Sequence, residues 1–600
     1  MKTLLIFPPI WHPVAPHLAI PSLMGQLEKE GVDVEALDIN VEFYNDLLKK
    51  SYLDKTIKEL NKVAEETKTK ANDIDKEEFE NLSFENKELI LKNDSIQKYL
   101  NKKSHQLKIV PKEIKKAISI IRSKKEFYKP ESYIRAMRTI SAALEIISLP
   151  YAPARIALYG YQNPLFEMDY ESIKNIVFSH STNIFAEYYK KWIPKILKKK
   201  PNLIGISVGS KNQIIPALTL ANLLKKHTDA HITIGGNYFS RTKGSFLNYP
   251  DFFDTFADSV LYNEGEIPIT ELAKRIEQNL PIDDISNLIY KKDDKVIINE
   301  VCKPLRLNQI PKPSYKGYDF SKYLTPEIVL LLETNRGCYW GKCAFCDIPY
   351  GKEYSSKNVD DLISEIKEYK KKYGVSNFEL VDESIPPKYY EQFAEKIIES
   401  KLNINYYSCA RTEAGFTKEI LHKLRKSGLR MVLWGIEAGS ERVMKVLNKG
   451  VDFDNRFQIL QDAADEDIWN HGYAFFGFPT ETFDEALETV NTLEKHSKII
   501  HSCGITFFEL TKNSNVEKEP EKYGLSYIGP KNTDFRNILE YKGNTLSEEE
   551  KEKIKQKCEH TLGKFFEVPI FNNVPTTEEY VFLYLAKYGT NTLKTYKLKS

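Results

Sequence analysis

Glycine is missing from Val32 through Tyr159, cysteine is scarce, and no long apolar run occurs anywhere in the 600 residues. A run such as Ile328–Leu332 falls far short of the ~18 residues of a membrane span. The opening MKTLLIFPP has a brief apolar patch broken by Pro8-Pro9, shorter than the roughly 7–15-residue core of a secretory signal. Seven cysteines, an odd number, cannot form a disulfide framework. Neither sign of charge prevails: Lys+Arg 86 against Asp+Glu 84 leaves a formal +2. That excludes a polybasic nucleic-acid coat and an acidic tail. These absences predict a cytoplasmic protein with no membrane span and no general affinity for nucleic acid.

What is present is a globular composition, 42% hydrophobic and 28% charged. At ~150 residues per domain the length predicts about two to four domains. Thr3–Phe7 reads as a buried strand, Ser22–Glu30 as a helix stopped by Gly31, and Val32–Asp38 as a second strand. This βαβ unit implies a parallel sheet. The glycine-free stretch is rich in Lys, Glu and Asn up to about residue 108. Ile134, Met137, Ile140, Leu144 and Ile147 then recur every three or four residues, one apolar stripe on a helix. Residues 46–154 are therefore read as a helical insertion. Leu203–Val208, a helix through Lys226, and His231–Ile234 ended by Gly235-Gly236 resume the α/β pattern. The fold expected for 1–45 and 155–290 is a doubly wound, Rossmann-like α/β domain, with 291–324 a proline-punctuated connector.

The second half alternates strand and helix with short joints. Candidate strands are Ile328–Thr334, Asn377–Val381, Ile404–Cys409, Arg430–Ile436, Gly472–Phe476 and Gly504–Glu509, with helices such as Val359–Lys372 and Thr417–Ser427 between them. Six such units over 325–530 predict a partial (β/α)6 barrel with its chemistry at the C-terminal ends of the strands. Residues 531–600 are expected to form a small C-terminal helical region, with a charged helix at Ser547–Lys557 and an aromatic tail.

Three of the seven cysteines, Cys338, Cys343 and Cys346, crowd into ETNRGCYWGKCAFCD at the end of the first barrel strand. A structural zinc site takes four Cys or His ligands, and no histidine lies between His231 and His422. Three thiolates without a fourth partner suit a [4Fe–4S] cluster with one open iron, with zinc as the alternative.

This loop resembles the cluster loop of the radical S-adenosylmethionine (radical SAM) enzymes. The family spacing is C-x3-C-x2-C; here one additional residue separates Cys338 from Cys343, and Phe345 before the last cysteine fits the pattern. The resemblance implies that the open iron chelates SAM. Reduction, by a donor such as flavodoxin or ferredoxin, then cleaves it to a 5′-deoxyadenosyl radical. It also implies SAM-binding roles for Asp382 and Glu383 after the second strand and for Ser408 and Arg411 at the third. The same holds for Glu437 in GIEAGSERVMKVLNKG and Gly477 in GYAFFGFPTET.

The opening LLIFPP, then IPSLMGQLEKEGVDVEALD, LIGISV and ITIGG resemble the cobalamin-binding domain that precedes many radical SAM barrels. The implied cobalamin contacts are Pro8, Pro9, Ser207, Gly209, Ser210, Gly235, Gly236, Asn237, Glu264 and Gly265. The glycines let a bulky nucleotide tail lie against the strand ends. The D-x-H-x-x-G motif that supplies a cobalt ligand in some cobalamin proteins is missing after the first strand. His12 and His17 lack its acidic partner, and Asp229-Ala230-His231 stands at the wrong strand. Cobalamin is thus expected to bind without a protein histidine on cobalt. Cys409, His471 and His501 read as structural.

The expectation is a cobalamin-dependent radical SAM enzyme, a class B methyltransferase-like protein that C-methylates an unactivated carbon of a peptide or small natural product. The alternatives are a cyclase or rearrangement enzyme using the same cofactors, and a non-catalytic cobalamin-binding sensor. A methylthiotransferase is disfavoured, because only Cys302 precedes Cys338 and a second three-cysteine cluster is lacking. The insertion and the tail, with its tyrosines and lysines over 570–600, are expected to wall the substrate site.

Overall fold

The computed structural model describes residues 2–74, 78–347, 353–529, 535–563, 571 and 574–595. The chain divides into two compact units, one built on Met1–Leu305 and Ile310–Pro326, the other on Glu327–Lys531 and the chain from Asn537.

The first unit is organised by seven strands. They are β1 (Lys2–Phe7), β2 (Asp33–Asp38), β3 (Leu203–Ser207), β4 (His231–Gly235), β5 (Ser259–Leu261), β6 (Leu288–Lys292) and β7 (Lys295–Ile298). Their order is β2-β1-β3-β4-β5-β6-β7. The first five run parallel, while β6 and β7 close the edge antiparallel. From β1 the chain crosses to one side of the sheet, and from β3 to the other. Right-handed crossovers therefore place the two connecting helices, Ala19–Lys29 and Ile214–Lys225, on opposite faces. Leu5 and Phe7 turn to one face, where they pack with Ile20, Met24, Leu27 and Leu272. The point where the winding reverses lies between the C-terminal ends of β1 and β3, the place where open α/β sheets bind ligands.

The insertion forms the helices Lys50–Asn72, Phe84–Lys103, Gln106–Ile121 and Pro130–Ser148. The whole stripe from Ile134 to Ile147 is buried, and so are Leu53, Leu60, Ile114 and Ile121 on the neighbouring helices. Two features differ from the sequence reading. Residues 155–202 hold a small hairpin (Arg155–Ala157 with Gly160–Gln162) and three short helices before the sheet resumes. The sheet also continues past residue 290 through β7. There KKDDK is the tip of a hairpin, and its charge density gives the look of a linker.

The second unit is built on β8 (Val329–Leu332), β9 (Asn377–Leu380), β10 (Asn405–Ala410), β11 (Leu429–Glu437), β12 (Trp469–Phe476) and β13 (Ser502–Phe507). All six are parallel and adjacent in chain order, β8-β9-β10-β11-β12-β13. Successive right-handed crossovers put every helix on the same face, which is how a partial (β/α)6 barrel arises. The pleat of β10 marks the two faces. Tyr406 and Ser408 bond to Ser427 and Tyr390 of the outer helices, so Tyr407 and Cys409 point to the inner wall.

After residue 531 the described chain first forms strands. Ile538–Leu539 pairs with Leu510–Thr511, and Tyr541–Gly543 with Leu525–Ile528, before the helices Glu548–Thr561 and Glu578–Thr595. Residues 564–570, 572–573 and 596–600 of the expected aromatic and basic tail lie outside the described residues. Among the described residues no helix is long and apolar enough to cross a membrane.

Candidate functional site

The three-cysteine loop leaves β8 at the C-terminal end of the barrel. Asp382, at the end of β9, pins its start. The Asp382 carboxylate accepts from the Thr334 amide (2.9 Å), the Thr334 hydroxyl (3.0 Å) and the Asn335 amide. It is 2% exposed, and burial pushes its carboxyl up to about 7. Both oxygens are thus used to hold two strand ends together. The neighbour Glu383 is exposed and lies within electrostatic reach of Cys409 on the inner wall.

The loop turns at Gly337 and Gly341, both in the left-handed region that favours glycine. The Cys346 amide closes the last turn on the Cys343 carbonyl (3.4 Å), and the Ala344 amide bonds to the Leu447 carbonyl (2.9 Å). Arg411, buried, acts as a clamp. Its guanidinium stacks 4.7 Å over Trp340 and 5.3 Å over Tyr339, donates to the carbonyls of Lys449 (2.6 Å) and Gly450 (3.2 Å), and pairs with Glu413 (2.5 Å). Trp340 in turn donates to the Asn448 carbonyl (2.7 Å) and covers Gly450 so closely that a side chain there would strike the indole. The cluster loop and the end of GIEAGSERVMKVLNKG are therefore locked together.

Glu437 ends β11 with a left-handed backbone (φ 62°), one step after a register shift in the ladder. It is 6% exposed and forms a 2.5 Å ion pair with Lys449. Lys449 also lies within electrostatic reach of Cys343. Burial pushes the Cys343 thiol up, Lys449 and Arg411 pull it down, and Glu437 pushes it up again; the balance is raised. Phe345 packs its ring against Phe475 at 5.0 Å. Gly477, left-handed at φ 76°, donates its amide to buried Glu481, whose carboxyl burial raises to about 7.

Ser408 does not join this group. Its hydroxyl bonds to Tyr390 (2.7 Å) on the helix side of β10, because neighbouring residues on a strand face opposite ways and Cys409 takes the inner wall. Arg411 and Asp382 belong to the site as scaffold. Lys449, Trp340 and Glu481 escaped the sequence reading, although all three lie inside or beside the motifs quoted above.

The donor set fits an iron–sulfur cluster. Cys338, Cys343 and Cys346 are half-buried thiols outside any disulfide, with Lys449 and Arg411 beside Cys343 to favour a thiolate. Among the described residues no three His, Cys, Asp or Glu side chains converge closely enough to hold a metal ion. The fit therefore rests on the chemistry of the donors.

In the first unit, the predicted cobalamin contacts lie at or follow the C-terminal ends of β1, β3, β4 and β5. Gln213 joins the chain after β1 to the chain after β3, donating to the Pro8 carbonyl (2.8 Å) and accepting from the Gly209 amide (2.9 Å). Val208 donates to the Gly235 carbonyl (2.7 Å). Gly236 (φ 112°) sits so close to Val208 that a Cβ would run into the Val208 carbonyl. Ser207 is buried at the end of β3, and Pro9 is buried beyond β1. Gly265 precedes the helix Glu266–Gln278, and the Glu264 carbonyl accepts from Asn287 (3.4 Å). The Ser210 hydroxyl and the Asn237 carbonyl oxygen are buried without a partner, and a Cβ on Gly209 would lie 3.5–3.8 Å from Gln213, His17 and Trp11. A polar, bulky ligand fits such a crevice.

Residues 332–493 match the model of the Radical SAM superfamily. An uncharacterized methyltransferase of Pyrococcus horikoshii is 26% identical over 312 residues, 50% of this chain and 66% of the relative. The cytidylyl-2-hydroxyethylphosphonate methyltransferase of Streptomyces wedmorensis is 22% identical over 65% of this chain and 80% of that one. Among solved structures, the radical S-adenosylmethionine methyltransferase TsrM from Kitasatospora setae, with cobalamin and a [4Fe–4S] cluster bound, superposes with a TM-score of 0.56. The match covers 96% of this chain and 91% of that one at 13% identity, a likeness of fold.

Proposed function

The second unit belongs to the radical SAM superfamily, and from that premise we propose that the chain is a cobalamin-dependent radical SAM methyltransferase. Its substrate would be an unactivated carbon of a peptide or small natural product. The observation that carries this reading is the pairing, in one chain, of a three-thiol loop at the barrel's C-terminal end with a winding-reversal crevice that holds unpartnered polar groups. A sensor would have no use for the first, and a simple SAM-cleaving enzyme none for the second.

When bound, a [4Fe–4S] cluster supplies the open iron and the electron that cleaves SAM, and cobalamin supplies the methyl carrier. The residues would divide the remaining work. Cys338, Cys343 and Cys346 hold the cluster, and Lys449 favours the ionised form of Cys343. Glu437, fixed against Lys449, offers its second carboxylate oxygen to the polar parts of SAM, and Glu383 faces the methionine ammonium. Glu481 sets the direction of the Gly477 peptide beside that ligand. Ser207, Gly209, Ser210, Gly236 and Asn237 receive the corrinoid. Holding reactants in place is the protein's main share of such chemistry. An external one-electron donor of the flavodoxin or ferredoxin type completes the system.

The test is anaerobic incubation of reconstituted protein with SAM, a reductant, cobalamin and candidate peptides or metabolites, followed by mass spectrometry. Gain of one methyl group with both 5′-deoxyadenosine and S-adenosylhomocysteine supports the proposal. 5′-Deoxyadenosine with a product of unchanged carbon count would move the assignment to a cyclase or rearrangement enzyme.

A further inference from the structure

The winding-reversal crevice contains a histidine whose protonation state the structure decides. His17 follows β1 with its ring stacked on Phe7 (centroids 4.8 Å, 14° between planes) and edge-on to Trp11 (4.8 Å). Its Nδ1 accepts a hydrogen bond from the Ala19 amide at 3.2 Å. A neutral imidazole carries one proton, so an Nδ1 that accepts leaves the proton on Nε2. Burial, with His12 nearby, lowers the His17 pKa to about 4, which keeps the ring neutral at physiological pH.

The Nε2 edge points to Gly209 in the loop after β3. A Cβ built on Gly209 would lie 3.7 Å from His17 Nε2, 3.8 Å from the Trp11 ring and 3.5 Å from Gln213 Oε1. Glycine leaves a methyl-sized space there, lined by the three side chains, with Nε2 at its edge. The cradle sits where doubly wound sheets bind their ligands.

We propose that His17 serves this crevice as a neutral hydrogen-bond donor, through Nε2–H, to an oxygen of the bound corrinoid, and not as a nitrogen ligand to its cobalt. Ligation through Nε2 would require the proton to move to Nδ1 and the Ala19 bond to break. The acceptor is an amide carbonyl of the corrin rim or an oxygen held on the metal. The inference rests on the cobalamin reading above and assigns a residue within it.

The experiment uses the full chain and hydroxocobalamin. His17→Phe keeps the stack on Phe7 and Trp11 and removes both nitrogens; it should fold, with its melting temperature lowered only by the lost Ala19 bond, and bind about tenfold more weakly. His17→Gln, which restores a donor, should recover most of that affinity. Electron paramagnetic resonance of the cob(II)alamin-bound wild type should show no nitrogen splitting from an axial protein ligand. A rise in the pKa of the cobalt-bound water in His17→Phe, followed by visible absorbance, assigns the acceptor to the metal-held oxygen; an unchanged value assigns it to the corrin rim. Two results overturn the inference alone: a nitrogen triplet that His17→Phe abolishes, or His17→Phe binding within twofold of wild type. A wild-type chain that takes up no cobalamin overturns the functional proposal and this inference together.

Discussion

Glu437 and Lys449 form a buried ion pair, Oε1 to Nζ at 2.5 Å, in the wall beside Cys343. Breaking a buried pair leaves an uncompensated charge, at a cost of ~3–5 kcal/mol. Glu437→Gln or Lys449→Met alone should therefore lower the melting temperature markedly. The double variant should regain most of the stability, since no orphan charge is left. SAM affinity should not return with it, because the carboxylate is gone. Calorimetry with equilibrium dialysis of SAM separates the two effects.

Cys343 is the thiol within reach of Lys449 and Arg411. Cys343→Ala should lose the brown absorbance and all SAM cleavage after anaerobic reconstitution, while binding cobalamin as wild type does. Four irons retained in that variant would sink the ligand assignment, and zinc in place of iron would sink the mechanism.

Gly236 carries φ 112° and lies against the Val208 carbonyl. Gly236→Ala should cost more than about 1 kcal/mol, because an L side chain is strained at that backbone conformation and collides with its neighbour. Cobalamin binding should weaken accordingly. Gly235→Ala should be milder, since its Cβ would approach the Leu261 carbonyl only to 3.2 Å at an ordinary backbone angle. A reversed ranking by urea titration would contradict this account of the crevice.

Much of this architecture is legible in the sequence. Short β-branched runs such as LIGISV, bounded by glycine and proline, could only be buried strands, and the stripe from Ile134 to Ile147 could only be a helix face. The side of a strand that each polar residue takes is less legible. Ser408 and Cys409 are strand neighbours that must face opposite ways, and the sequence cannot say which of the pair turns inward. The Asp382 carboxylate ties the chain after β8 to the end of β9, a bond that the motif does not announce. The β6–β7 hairpin was hidden by its charged tip, since exposed edge strands need little hydrophobic pattern. Lys449 is one of 86 Lys and Arg residues, and only its place against Glu437 sets it apart.

The inner wall of the barrel holds Glu379, within reach of Glu579 and Glu578 of the helix Glu578–Thr595. Burial, then these two carboxylates, raises its pKa from 4.5 to about 8. A carboxyl that holds its proton more tightly when folded stabilises the fold at low pH. That contribution declines as pH rises above the unfolded value and is lost once pH passes about 8. The helix should therefore dock less firmly in alkaline buffer, seen as faster hydrogen exchange over 578–595 at pH 9 than at pH 6 after correction for intrinsic rates. Glu379→Gln should flatten that dependence. An unchanged slope in the variant would assign it to other groups.

Arg456 is 1% exposed and donates through one guanidinium nitrogen to the carbonyls of Ile436 (3.2 Å) and Ala438 (2.7 Å), the residues on either side of Glu437. Its guanidinium rests on Phe453 at 4.2 Å and Phe457 at 4.7 Å. This grip holds Glu437 in a left-handed conformation that glutamate adopts only under constraint. Arg456→Met keeps the packing against both rings but takes the guanidinium donor from the Ala438 carbonyl and leaves Ile436 with the Ala438 amide alone, at ~1–3 kcal/mol. With the grip gone, Glu437 should relax toward an extended backbone and turn its carboxylate away from Lys449. SAM affinity should fall about tenfold, equivalent to ~1.4 kcal/mol, beyond what the loss of stability explains. The decisive comparison is made on a Glu437→Gly background, where no carboxylate has to be aimed and the left-handed backbone carries no strain. There Arg456→Met should still lower the melting temperature but change SAM affinity by less than twofold. An equal loss of affinity in both backgrounds would mean that Arg456 supports the barrel as a whole and does not position Glu437.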